Sequence, residues 1–276
     1  MHAFAGNSLL CRQALKHTAI DPATFTSIRI LSGALVLWAI TRVRGGAPAG
    51  GGNWPSAMAL LAYAAGFSYA YVSLPAATGA LLLFGAVQVT MIGAGLYRGE
   101  RLSAWRSAGL ACAFGGLAWM LSPGLSAPPV VGAALMLGAG VAWGIYSLRG
   151  RGAGDPLHVT TGNFARAAPI AVGLSAAALP WAAADGPGLA YAVLSGALTS
   201  GVGYAVWYTA LRGLSATRAA AVQLSVPAIA AAGGVVFLGE MLTMRLVIAS
   251  AAILGGIAMI IFERPASTGV PPSRRI

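Results

Sequence analysis

Apolar residues run in blocks of about twenty along this chain, and short polar or bend-forming stretches separate them. Read between breaks, the blocks fall at 3–18, 22–41, 54–73, 75–97, 104–122, 129–149, 156–184, 188–211, 215–238 and 244–263. The breaks carry Pro, Gly and charge: Asp21-Pro22, 42–53, 98–103, Ser122-Pro123-Gly124, 149–156, Asp185-Gly186-Pro187 and Leu238-Gly239-Glu240. A bilayer-crossing helix needs about 20 mostly apolar residues, so the pattern predicts an all-α membrane protein of ten transmembrane helices.

The pattern repeats. Residues 74–103 (LPAATGALLLFGAVQVTMIGAGLYRGERLS) align without a gap with 214–243 (LSATRAAAVQLSVPAIAAAGGVVFLGEMLT), and a Gly-Gly pair recurs at 115–116 and 255–256. Glu100 and Glu240 are thus 140 residues apart. Two five-helix repeats are predicted, 1–122 and 129–263, followed by a tail at 264–276 on the cytoplasmic side. Because five is odd, the second repeat enters the membrane upside down, the inverted-repeat plan of many secondary transporters. Aligning Gly6 with Gly144 leaves the first helix about ten residues shorter than the sixth, and the reading is that the start of helix 1 is missing.

Composition agrees with a lipid environment. Of 276 residues, 58% are hydrophobic and 8% charged, and mean hydropathy is +0.77, whereas soluble domains carry roughly a quarter charged residues. The net charge of +11 sits at the ends of apolar runs, which points to bilayer orientation rather than nucleic acid. With both termini cytoplasmic, the inner segments hold Arg42, Arg44, Arg98, Arg101, Arg106, Arg149, Arg151, Arg212, Arg218, Arg264, Arg274 and Arg275. The outer ones hold only Arg12, Lys16 and Arg245, as the positive-inside rule requires. Arginine in place of lysine, with abundant Ala and Gly, suggests a GC-rich bacterial genome and hence a bacterial inner membrane. Cys11 and Cys112 read as small core residues.

Candidate chemistry is sparse. Arg29 and Arg166 fall inside spans, where a charge costs about 2.5–3.5 kcal/mol on insertion scales. Each therefore faces a partner: helix-end carbonyls that lock the halves together, or a bound solute. Asn163 shares a helix face with Arg166. Tyr63, Phe67 and Tyr71 make one aromatic stripe, Trp143 and Tyr146 another, and Tyr204, Trp207 and Tyr208 a third. These rings mark either the membrane interface or the wall of a midplane cavity. Phe84, Gln88 and Met91 form a stripe on the fourth span. Gln223 and Pro227 give the ninth a polar, kinked point, since proline frees the carbonyl four residues back. The Gly-Glu turns precede Ser103 and Thr243, which are suited to cap the next helices. The histidines lie at span ends and no carboxylate falls mid-span, so neither a catalytic triad, a metal cluster nor a central proton-carrying acid has residues to draw on. No cofactor is expected, and the chain is not read as an enzyme.

Gly6-Asn7-Ser8, Arg29 and the repeated L-(S/P)-A…G-E-x-L-(S/T) segments resemble the EamA family of the drug/metabolite transporter superfamily. Residues 80–91 and 203–216 are most similar to the YddG-type aromatic amino-acid exporters. The resemblance implies a two-repeat bundle that exports amino acids and related metabolites by alternating access. On the residues themselves, Phe67, Phe84, Gln88, Met91, Trp143, Tyr146, Tyr204, Trp207, Tyr208 and Gln223 are the candidate solute-binding set. Arg29, Arg166, Asn163 and Pro227 are the structural or gating set. The expected cargo is neutral, mostly hydrophobic or aromatic amino acids, with an anionic metabolite or hydrophobic drug as the alternative. An intramembrane enzyme or scaffold is the reading of another class.

Overall fold

A computed structural model describes residues 1–45, 51–99, 103–124, 127–150, 154–211, 222–223 and 225–262, except the side chains of Tyr208 and Leu211. Ten long helices are described: α1 His2–His17, α2 Pro22–Val43, α3 Trp54–Tyr71, α4 Ala76–Tyr97, α5 Ala104–Leu121, α6 Val130–Gly150, α7 Pro156–Ala177, α8, α9 Ser225–Leu238 and α10 Met244–Ile261. Helix α8 is continuous but changes character: α-helical over Gly186–Leu194, π-helical over Ser195–Val202 and α-helical again over Gly203–Leu211. The seventh span ends earlier than the apolar run suggests, closing in a 3₁₀ turn at Leu179–Trp181. Five helical segments, Pro22–Val43, Ala76–Tyr97, Val130–Gly150, Gly186–Trp207 and Met244–Ile261, are long and apolar enough to cross a membrane.

Local chemistry sets the helix ends. Asp21, Asn53, Ser103, Asp155, Asp185 and Thr243 each accept a backbone N–H in the first turn of the following helix, satisfying donors a helix start leaves open. Gly99 and Gly239, one from each repeated Gly-Glu turn, have positive φ angles of 90° and 62°, a conformation that favours glycine. Glu240 does more than turn the chain. Its Oε2 accepts the N–H of Ala76 at the start of α4, and its Oε1 accepts Arg12 Nε at 3.3 Å. Arg12, expected at the outer side, is buried on α1 and also donates to the carbonyls of Tyr71 and Val72. Glu100 lies outside the described residues.

Helices pair across the chain's midpoint. Helix α2 packs on α7 and α5 on α10; α6 packs on α3 and α4, while α1 packs on α8 and α9. The α5–α10 contact shows what the paired glycines do. A Cβ on Gly109 would stand 2.6 Å from the Gly256 carbonyl oxygen, and one on Gly116 would meet Ala252 at 2.7 Å. Gly115 and Gly255 have open space instead. One glycine of each pair therefore sets close helix approach. Cys112 corrects the reading of two core thiols: Cys11 is buried, but Cys112 is exposed on α5, with its thiol against the Ala252 carbonyl.

Connections are stitched to each other by hydrogen bonds. The turn before α2 meets the one before α8, where Asp21 N–H donates to the Ala183 carbonyl and Asp185 accepts Ala19 N–H. Burial pushes the Asp21 carboxyl up, but hydrogen bonds from Thr24, Ala183 and Ala23 outweigh it and hold the group below its ordinary range. At the α2–α3 connection, Asn163 accepts Asn53 N–H, Arg166 donates to the Gly51 carbonyl, and Arg149 donates to Ser56 and Asn53.

Candidate functional site

The first three helices of each half meet around a cluster of rings. Phe4 of α1 contacts Trp143 of α6 and both Tyr204 and Trp207 of α8, with centroids 5.9–6.1 Å apart. Trp143 in turn lies 4.8 Å from Tyr63, 5.5 Å from Tyr146 and 5.2 Å from Tyr204. Phe67 joins Tyr63 to Tyr71, and Phe164 of α7 stacks on Tyr204 edge-on. Most of these contacts are tilted or T-shaped, the geometry ring quadrupoles favour. All but Phe4 are nearly or fully buried inside the bundle.

Polar groups gather beside the rings. Arg29 of α2 is 1% exposed; its Nη2 donates to the Tyr63 hydroxyl at 2.9 Å and its Nε to Ser200 Oγ at 3.3 Å. Its Cζ stands 5.2 Å and 4.9 Å from the Tyr63 and Phe67 centroids, within cation–π range. Asn7 of α1 donates to the Tyr63 hydroxyl and accepts from Ser195 and Thr199. Ser195, Thr199 and Ser200 all belong to the π-helical stretch of α8. Such stretches are rare and concentrate at functional sites. Glycine lets this stretch approach α2, because a Cβ on Gly196 would overlap the Arg29 carbonyl and the Ser32 hydroxyl.

A groove of about 970 Å³ runs between α1, α8 and α9. Apolar side chains such as Leu9, Leu10, Leu198, Val206 and Phe237 form most of it, and Phe4, Thr199 and Trp207 connect it to the ring cluster.

The structure brings together Phe67, Trp143, Tyr146, Tyr204 and Trp207 from the predicted set, with Arg29 among them. Asn163 touches the margin through its amide, 3.5 Å from the Tyr146 hydroxyl. Arg166 makes none of the described ring contacts and binds the Gly51 and Gly162 carbonyls. Arg29 departs from the carbonyl-locking alternative, since its bonds are to hydroxyls. The Phe84, Gln88 and Met91 stripe does not face the cluster. Gln88 lies in a slot with Leu110, Phe114, Ile253 and Ile257 of α5 and α10. The reason is helical geometry. Ala86 and Thr90 face α6, and Gln88, two residues from each, points about 200° away at 3.6 residues per turn. Phe84 is buried but makes none of the described ring contacts, and Met91 is only partly buried. Gln223 is partly exposed and outside the groove lining; Pro227 is buried as the third residue of the described α9. The Tyr208 side chain lies outside the described residues.

Asn7, Phe4, Phe164 and the three hydroxyls of α8 belong to the site without standing among the predicted residues. Asn7 and Ser195 are 188 residues apart, and no local pattern marks that pairing.

Comparison with known proteins fits this arrangement. The EamA-like transporter family matches residues 130–262. Uncharacterized protein PA1977 of Pseudomonas aeruginosa is 59% identical over 266 residues, covering 96% of this chain and 92% of that protein. The chain belongs to the EamA-like transporter family. Threonine/homoserine exporter RhtA of Salmonella typhimurium is 38% identical, and that of Escherichia coli K12 37%, each over 146 residues. Those alignments cover 49% of this chain and 48% of either exporter, so the chain is matched to about half the length of these relatives. A solved crystal structure superposes on 93% of this chain and 95% of its own with a TM-score of 0.63 at 18% identity, a likeness of fold alone. This EamA-like chain is accordingly a multi-pass membrane protein, and its family points to transport rather than catalysis.

Proposed function

We propose that this protein exports neutral amino acids across a bacterial inner membrane, favouring those with apolar or aromatic side chains. The observation that carries the reading is the ring cluster, built from α1–α3 of one half and α6–α8 of the other. A site at the junction of two repeats is where secondary transporters bind cargo. Phe67, Trp143, Tyr146, Tyr204 and Trp207 offer an apolar, polarisable wall to a side chain. Asn7, Tyr63 and Thr199 offer hydrogen bonds to an amino acid's backbone groups. The name of the partly matching relatives, threonine/homoserine exporter, supports amino-acid cargo in general.

The helix pairing supports an inverted repeat. Exchanging α1–α5 with α6–α10 returns α2–α7 and α5–α10 to themselves. It also turns α3–α6 into α8–α1 and α4–α6 into α9–α1, all of which are contacts of the fold. Phe67 and Trp207, 140 residues apart, both enter the cluster. An odd number of crossings per half then makes the two repeats antiparallel, with an axis in the membrane plane. The arginine-rich segments support a cytoplasmic position for both termini by the positive-inside rule.

The test is efflux from proteoliposomes loaded with phenylalanine, leucine, alanine, threonine or homoserine, with and without a pH gradient. Phenylalanine and leucine moving fastest is the expected result. Equal or faster movement of threonine and homoserine would shift the cargo to hydroxyl amino acids, and no movement of any would defeat the reading.

A further inference from the structure

Arg29 is the largest fully buried side chain in the described structure, and among the described residues no acid pairs with its charge. A guanidinium carries five N–H donors and stays protonated in proteins, so burial cannot neutralise it. Two donors are used, on the Tyr63 and Ser200 hydroxyls; Nη1 has no hydrogen-bond partner among the described residues. The rings of Tyr63 and Phe67 supply part of what the charge lacks, but a ring face is a weaker partner than an anion.

Arg12, Arg166 and Arg245 differ. Arg12 has Glu240 and two carbonyls, and Arg166 and Arg245 have two carbonyls each. The described acids are also committed elsewhere. Asp21, Asp155 and Asp185 cap α2, α7 and α8, and Glu240 holds Arg12. Buried charges in proteins are as a rule paired, and the partner missing here is an anion.

The surroundings indicate how one arrives. Tyr63 comes from the first half of the chain and Ser200 from the second, so a relative movement of the halves would part the two hydroxyls that hold Arg29. Tyr63 accepts from both Arg29 and Asn7, which leaves its own proton to donate. Asn7 accepts from Thr199, and Thr199 lines the groove. A line of polar groups therefore runs from the groove wall through Asn7 and Tyr63 to the Arg29 guanidinium, which it meets at Nη2.

We propose that Arg29 Nη1, with the Tyr63 hydroxyl, is the seat for the carboxylate of the transported solute. The guanidinium then acts as the solute's counter-ion, and the rings beside it hold the side chain. This rests on the amino-acid export reading and adds to it a required chemical group.

The experiment measures binding to the purified full-length chain in nanodiscs by thermal shift and calorimetry. Four probes share one side chain: phenylalanine, phenylalaninamide, 3-phenylpropionate and phenethylamine. The two acids are expected to bind at least about tenfold tighter than the amide and the amine, the effect of one charge-assisted hydrogen bond. Arg29→Gln should abolish that preference and Arg29→Lys retain part of it. Equal binding of acid and amide by the unmodified protein overturns the proposal without any variant. A preference for acids that survives in Arg29→Gln overturns it too, as does failure of all four probes to bind. If 3-phenylpropionate binds through Arg29 while phenylalanine does not, the carboxylate seat stands and the amino-acid cargo falls.

Discussion

Two seams of the bundle, matched in sequence plan, are packed very differently. Where α6 lies against α3 and α4, backbones nearly touch: a Cβ on Gly140 would stand 2.6 Å from the Leu83 carbonyl oxygen, and one on Gly144 2.8 Å from Thr90 Cβ. Where α1 lies against α8 and α9, a Cβ on Gly233 would meet Leu9 Cδ1 at 2.4 Å and one on Gly203 would meet Ala3 Cβ at 2.9 Å. But one on Gly6, the residue aligned with Gly144, would meet nothing nearer than 3.7 Å, and the groove of about 970 Å³ opens beside it. Helix α1 is 16 residues long and α6 is 21. The α6 seam is held by shape along its length. Near the C-terminal end of α1, its seam is held by polar stitches, Arg12 to Glu240 and to the α3–α4 connection.

The largest test of this difference removes the stitch. Glu240→Gln leaves Arg12 buried without its counter-charge, a change that typically costs about 3–5 kcal/mol. Two carbonyl bonds to Arg12 remain, so a loss of about 2 kcal/mol is expected, seen as a lowered Tm. A Tm unchanged within error would show that the pair does not hold α1. A smaller effect comes from one substitution made in both seams. Gly144→Ala forces overpacking, which costs about 1–3 kcal/mol, whereas Gly6→Ala fits ordinary contact and gains helix propensity of about 0.5 kcal/mol. Equal Tm changes for the two would erase the contrast between the seams.

The smallest effect concerns pH. Asp21 joins the turn before α2 to the one before α8, and its carboxyl is held below the ordinary value of 3.8. A depressed carboxyl adds stability that is complete above its unfolded value and disappears as pH falls through the folded one. The acid limb of a Tm–pH curve below about 4 should therefore be shallower in Asp21→Asn. Identical acid limbs would remove Asp21 from the stitch.

Much of the frame was legible in the chain because it depends on local rules. Apolar run lengths, Asp-Pro starts and Gly-Glu turns mark helix ends through capping and backbone preference, which neighbours in sequence decide. The gathering of Phe67, Trp143, Tyr146, Tyr204 and Trp207 followed from rings placed at helical spacing in corresponding spans. Gln88 shows where such reasoning stops. Its stripe with Phe84 and Met91 is real, yet periodicity gives a face and not the neighbour that face meets, which here is α5 and α10. The π-helical stretch of α8 was illegible as well. SGALTSGV reads as an ordinary apolar helix, and its altered hydrogen bonding comes with tertiary contacts to α1 and α2. Asn7 was visible as part of a motif, but its hydroxyl partners lie on a helix 188 residues or more away.

The ring cluster as the place where cargo is selected is most directly tested by Trp207, which belongs both to the cluster and to the groove wall. Efflux of phenylalanine and of alanine is to be measured in proteoliposomes for the unmodified protein and for Trp207→Ala. The account predicts that Trp207→Ala lowers the phenylalanine-to-alanine rate ratio by about fivefold or more, the loss of roughly 1 kcal/mol of ring contact. A ratio that stays the same, whether or not both rates fall, would contradict it.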